Sequence, residues 1–197
     1  MEKPSEVLVE FDKVIAQFEG LPEPDKFVEP YRYARDIAYG NIGSRNPYDV
    51  LLANKGTCSG KHALLKLIYE SLGYEVKSFF AKHNFGNFPI SSCPEELAEY
   101  QGQDIPDYHD FLKIKIGDEW VTLDAVFDSD IVRLGFPKLE WDGTSDMQLP
   151  VATSEVFEAK GDMEEHKKML IAALPEEQQV LRKRFLSDMT EWLDKNR

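Results

Sequence analysis

The sequence predicts an α+β fold in which a helix opening on a cysteine packs on an antiparallel sheet, with further helices at both ends. Three observations carry that reading. Ala63, Leu64, Leu67, Ile68 and Leu72 form an apolar stripe that starts beside Cys58 and stops at Gly73, where a helix C′ glycine belongs. Residues 109–116 and 119–127 read as two strands joined at Gly117-Asp118, a strong hairpin signal. Helical spacing returns at both ends, over residues 5–18 and 162–195. All 197 residues are expected to form a single domain, with a core over about 30–145 and the terminal helices as extensions.

Taken in order, Val7, Leu8, Phe11, Val14, Ile15 and Phe18 share one face of the first helix, which Gly20-Leu21-Pro22-Glu23-Pro24 stops. A second helix is expected over 31–39, ended by Gly40-Asn41-Ile42-Gly43, and a short helical turn over 47–52. After the cysteine helix, residues 74–81 read as a buried strand with Val76, Phe79 and Phe80. Residues 82–108 read as a long surface loop, of a length usually tied to function or mobility, and 128–150 as more loop. Asp162-Met163-Glu164-Glu165 resembles a capping box. Pro175 opens a last helix with Leu181, Phe185, Met189 and Trp192 roughly every four residues.

Composition narrows the function. There are 23 basic and 36 acidic side chains, so 23 − 36 = −13. With a pI near 4.8, the chain lacks the basic footprint that a nucleic-acid partner needs. Its apolar stretches fall far short of a bilayer span, and MEKPSEVLVEFDK opens like a helix and not like a signal peptide. The expectation is a cytoplasmic protein with no membrane role. Cys58 and Cys93 are expected to be reduced, with Cys93 a free surface thiol. Without a CxxC pair, and with four scattered histidines, no metal site is expected.

The chemistry gathers around Cys58. At a helix start, exposed N–H groups and the helix dipole favour the thiolate, the nucleophilic form of cysteine. Gly56 and Gly60 leave room for close backbone approach, as an oxyanion site built on peptide N–H groups requires. A buried, inert cysteine is the commoner role, and the position at a helix start argues against it. A two-residue turn pairs Ile116 with Glu119 and places Leu112, Ile114, Ile116, Val121 and Leu123 on one apolar face. The same register makes His109 and Asp124 diagonal neighbours on the other face, with Cα atoms ~7–8 Å apart. Cys58 would then attack a carbonyl, His109 take and return the proton, and Asp124 hold the imidazole tautomer.

Gly56-Thr57-Cys58 before a helix ending Leu72-Gly73-Tyr74, then Tyr108-His109-Asp110, then Asp118-Glu119-Trp120-Val121-Thr122-Leu123-Asp124, resembles the transglutaminase-like superfamily. Its members carry a G-x-C helix start, an "LG" helix end, a strand-leading histidine and a W-x-x-x-D strand. The resemblance spans about residues 45–128. It implies a papain-like core and a Cys-His-Asp triad at Cys58, His109 and Asp124. The implied activity is that of a thiol hydrolase or acyltransferase working on a peptide or amide substrate through an acyl-thioester. It implies neither metal nor organic cofactor and names no protein partner.

Two positions depart from the pattern. His62 stands where the family often has alanine; one turn from Cys58, it is a rival base or a neighbour stabilising the thiolate. Leu52 occupies the place of the glutamine that papain-type enzymes use at the oxyanion, so the second donor is unassigned. Trp120 is expected to pack against the triad and exclude water. His83 is either a satisfied loop histidine or part of the cleft wall. The alternatives are an arylamine N-acetyltransferase-like acyltransferase, disfavoured by length and by the lack of an acetyl-CoA site, and a catalytically silent binding module.

Overall fold

The structure, a computed structural model, describes residues 5–197. Helix α1 (Ser5–Ala16) presents Phe11 and Val14 to the interior, with Phe18 just beyond its end. Helix α2 spans Asp25–Asp36, earlier than the expected 31–39. Pro30 lies inside the helix, where its fixed φ fits and the cost is one backbone hydrogen bond. Ile37 then turns extended, and β1 (Ala38–Tyr39) runs parallel to β2 (Lys55–Gly56). Between them, α3 (Pro47–Ala53) begins where Asn46 accepts the Tyr48 N–H and ends at Asn54 in the left-handed region.

Strand β2 leads through extended Thr57 into α4 (Cys58–Ser71), making Cys58 the first residue of the helix. Strands β3 (Val76–Asn84), β4 (Pro106–Ile116), β5 (Glu119–Leu123) and β6 (Thr153–Glu158) form an antiparallel sheet in the order β5-β4-β3-β6. The hairpin register is the expected one, with Ile116 opposite Glu119 and Leu112 opposite Leu123. Leu65 and Tyr69 of α4 pack on Leu112, Ile114, Val121 and Leu123. Leu64 and Ile68, on another face of the same helix, meet Phe11, Val14 and Val50. The cysteine helix is thus held between the sheet and α1 with α3, and its N-terminus has little freedom to move.

Residues 82–108 are not one long loop, because strands occupy both ends. Strand β3 continues to Asn84 and β4 starts at Pro106, with 3-10 turns at Phe85–Asn87 and Glu95–Tyr100 between them. Leu97, Tyr100 and Ile105 are buried, and Gly86 lies so close to Gln103 that a Cβ would come within 2.0 Å of the Gln103 carbonyl oxygen. Gly86 here marks tight packing and not exposure. Strand β5 stops at Leu123, short of the expected 127, and β6 falls where no strand is expected, because it is an almost wholly exposed edge without apolar alternation.

Helix α5 (Met163–Ala172) starts as expected, with Asp162 accepting the Glu165 N–H at 2.9 Å. Helix α6 (Glu176–Asn196) buries Phe185, Met189 and Trp192 against Phe85, Tyr100, Phe127 and Phe136. Among the described residues, no helix is long and apolar enough to cross a membrane.

Candidate active site

Cys58 is half-buried at the start of α4, beside the aromatic cluster that α6 completes. The flanking glycines have a packing role. A Cβ at Gly60 would lie 2.7 Å from Val50 Cγ2 and one at Gly56 3.0 Å from Val50 Cγ1, so both allow α3 to press against the helix start. The backbone approach they permit comes from inside the protein, on the Val50 side.

His109 on β4 lines the same cavity as Cys58 and is hydrogen-bonded to Asp124, with Nε2 2.5 Å from Asp124 Oδ2. Nε2 is thus committed to the carboxylate. Asp124 is fully buried just past β5, and its second oxygen accepts the Val126 N–H at 3.0 Å. Burial opposes the charge on His109, but the Asp124 carboxylate and the Cys58 contact outweigh it and push its pKa up to about 10. Burial likewise opposes ionisation of Asp124, and the charge of His109 holds its carboxyl below the usual carboxylate range. The expected diagonal pairing of His109 and Asp124 therefore becomes a direct bond.

His62 is fully buried, and both ring nitrogens are occupied. Nδ1 lies 2.9 Å from the Cys58 carbonyl, which can only accept, and Nε2 accepts the Ala125 N–H at 2.9 Å. These partners dictate the neutral Nδ1–H tautomer. Asp124 Oδ1, 3.6 Å from Nε2, favours the charged form, but burial dominates and pushes the pKa down to about 4. No lone pair is left to face Cys58. The ring instead ties the first turn of the cysteine helix to the segment carrying Asp124.

A second charged group at the sulfur was not evident from the sequence. Asp110, adjacent to His109 on β4, is fully buried, and its Oδ2 lies 3.3 Å from Cys58 Sγ and 2.8 Å from Ser59 Oγ. The same oxygen takes a short ion-paired hydrogen bond from Lys167 of α5. Lys167 Nζ is also 3.1 Å from Ser59 Oγ and 3.8 Å from Cys58 Sγ. Burial disfavours the Lys167 ammonium, yet Asp110 and Cys58 more than offset this and raise its pKa above the ordinary lysine range. Asp110 is held below the usual carboxylate range, burial being outweighed by Lys167 and by the Ser59 hydroxyl. Asp110 belongs to the Tyr108-His109-Asp110 motif, but nothing in the sequence links Lys167, 57 residues further on, to this site.

Cys58, His109 and Lys167 open onto a cavity of about 380 Å³. One wall is a stripe of α6, in which Leu186, Met189 and Leu193 continue from Arg182, and Arg182 pairs with buried Asp107 at 2.9 Å. His83 also lines the cavity, from strand β3 and not from a loop, with its ring 6.2 Å from that of His109 and its pKa pushed down to about 4 by burial.

Trp120 does not reach the cavity. It pairs with Lys115 next to the hairpin turn, under the Lys77 ammonium at 5.0 Å, while His109 lies at the far end of β4, about 20 Å away at a strand's rise per residue. Sharing a face with the triad residues did not place it beside them. Cys93 is half-buried, not a surface thiol; it packs against the aromatic cluster and points to the Pro94 carbonyl. Among the described residues, no group of three or more His, Cys, Asp or Glu could hold a metal ion.

No family model matches the chain, and no curated protein matches it. Among solved structures, it is similar to one described as "a Putative Cysteine Protease from Cytophaga hutchinsonii", with 16% sequence identity and a TM-score of 0.40. That match covers 63% of this chain and 43% of the other, so the chain spans less than half the length of that neighbour. The class defined by the fold is mixed α+β, an antiparallel sheet with helices.

Proposed function

We propose that the protein is a cysteine-dependent amide or peptide bond hydrolase or acyltransferase, with a papain/transglutaminase-like core and the triad Cys58, His109 and Asp124. The observation that carries this reading is the His109–Asp124 pair, with His109 bonded to the buried Asp124 carboxylate and lining one cavity with Cys58. A structural cysteine needs no such partner. Cys58 attacks the substrate carbonyl as the thiolate, its proton held by the His109 imidazolium. The tetrahedral intermediate collapses when His109 returns that proton to the leaving amine, and water or an acceptor amine then resolves the thioester. Asp124 keeps Nε2–H of His109 oriented and balances the imidazolium. His62 acts as a clamp on the helix start, and His83 forms part of the cleft wall. The meeting of side chains from 58 to 193 at one cavity supports reading the chain as a single domain.

The test is acylation of Cys58 by p-nitrophenyl esters and peptide anilides, followed by intact mass in wild type and His109→Ala. The expected result is a burst of product and a mass increase at Cys58 that the variant loses. Reactivity at Cys58 no greater than at Cys93 would leave the silent binding module as the reading. Adding hydroxylamine to the same assay separates transfer from hydrolysis.

A further inference from the structure

The pair Lys167–Asp110 has no part in the triad, yet it sits at the reacting sulfur. A carboxylate 3.3 Å from a nucleophilic sulfur is by itself a liability, because it repels the thiolate. Here Lys167 neutralises it. An ammonium has three N–H donors. One is held by Asp110 Oδ2, one reaches Ser59 Oγ at 3.1 Å, and the third makes a long contact to Cys58 Sγ at 3.8 Å, both residues lining the cavity. The anchoring by Asp110 and Ser59 leaves Lys167 almost no freedom, and only 3% of its surface is exposed.

Resting on the thiol-enzyme reading above, we infer that Lys167 is a catalytic residue that supplies the charged oxyanion donor of this site. When Cys58 sulfur bonds to the substrate carbonyl carbon, the C=O π pair moves to oxygen. The negative charge thereby leaves sulfur and appears two bonds away. The third N–H of Lys167 follows it from sulfur to oxygen, as a hydrogen bond with no proton transferred. On collapse the C=O re-forms, the C–N bond breaks, the amine leaves with the proton from His109, and Lys167 turns back to its resting contact. This assignment fills the place left open at Leu52, from a helix outside the part of the chain that resembles a family. Of the charged and titratable groups, Asp110 and Lys167 contact the Cys58 sulfur, and Tyr39, His83, Asp107, His109 and Arg182 line the cavity with it.

Two reactions of the same thiol separate this role from a merely structural one. Alkylation by iodoacetamide takes place at a saturated carbon and forms no oxyanion, whereas acylation by a p-nitrophenyl ester does. Lys167→Met is measured together with Asp110→Asn/Lys167→Met, which removes the buried charge left behind and protects folding, against Asp110→Asn alone. In the double variant the acylation rate is expected to fall about 10²–10³-fold relative to alkylation, the loss typical of one oxyanion donor. Equal falls in both reactions, or an unchanged ratio, overturn the inference while leaving the triad intact. If wild-type Cys58 undergoes neither reaction faster than Cys93, the enzyme reading itself fails, a separate outcome.

Discussion

Replacing His62 with alanine separates a clamp from a base. The ring fills a fully buried site and accepts the Ala125 N–H at 2.9 Å, so its loss leaves that donor buried without a partner. An orphaned buried N–H costs about 1–3 kcal/mol, and the void left by a large side chain brings the expected loss to about 3–5 kcal/mol. Urea unfolding followed by tryptophan fluorescence reads this directly. The variant also removes a pH dependence. His62 titrates at about 4 in the fold against an ordinary 6.5, so between these values the unfolded chain binds more protons. Stability from this group is present above pH 6.5 and drains away as pH falls toward 4, by roughly 3 kcal/mol in all. In His62→Ala that acid limb should become shallower, with His83 supplying what remains. The pH profile of Cys58 alkylation should keep its His109-dependent shape. A stability loss below about 1 kcal/mol, or a folded variant whose Cys58 has lost its pH-dependent reactivity, would refute the clamp.

Three further outcomes can be checked. His109 titrates near 10 in the fold against 6.5 unfolded, so its contribution is complete below pH 6.5 and lost as pH rises through 10; His109→Ala should flatten the alkaline limb of a stability–pH curve. Asp124→Asn should keep the fold yet lower turnover by about 10³–10⁴-fold, because the amide no longer enforces the tautomer or balances the imidazolium; unchanged turnover would remove Asp124 from the mechanism. Gly86→Ala should destabilise by about 1–3 kcal/mol through the contact with Gln103 without altering alkylation of Cys58, as seen by thermal unfolding beside a thiol titration.

The features that were legible in the sequence have a short period or a strong local signal. The Leu112–Leu123 register follows from alternation about Gly117-Asp118, and the same alternation brings His109 to Asp124. The Asp162 cap is likewise a local pattern. Trp120 shows the limit of such reasoning, since parity assigns a face but not a position along the strand. Pro30 and Gly86 look like breaks from their residue types, while the helix around the one and the backbone pressed against the other depend on neighbours far away in sequence. Lys167 was invisible for a related reason. A lysine in an acidic helix start reads as solvated, and only tertiary packing places its ammonium beside Asp110.

The contribution of α6 to the cavity wall has a consequence for the order in which the molecule is assembled. The helix and hairpin that carry Cys58, His109 and Asp124 precede α6 in the chain, and Leu186 and Met189 close over Cys58 from some 130 residues away. Long-range closures of this kind come late in folding. A nascent chain would therefore hold Cys58 before it had a compartment to shelter it. During that interval Cys58 is exposed to oxidants and stray electrophiles, and docking of α6 ends that exposure.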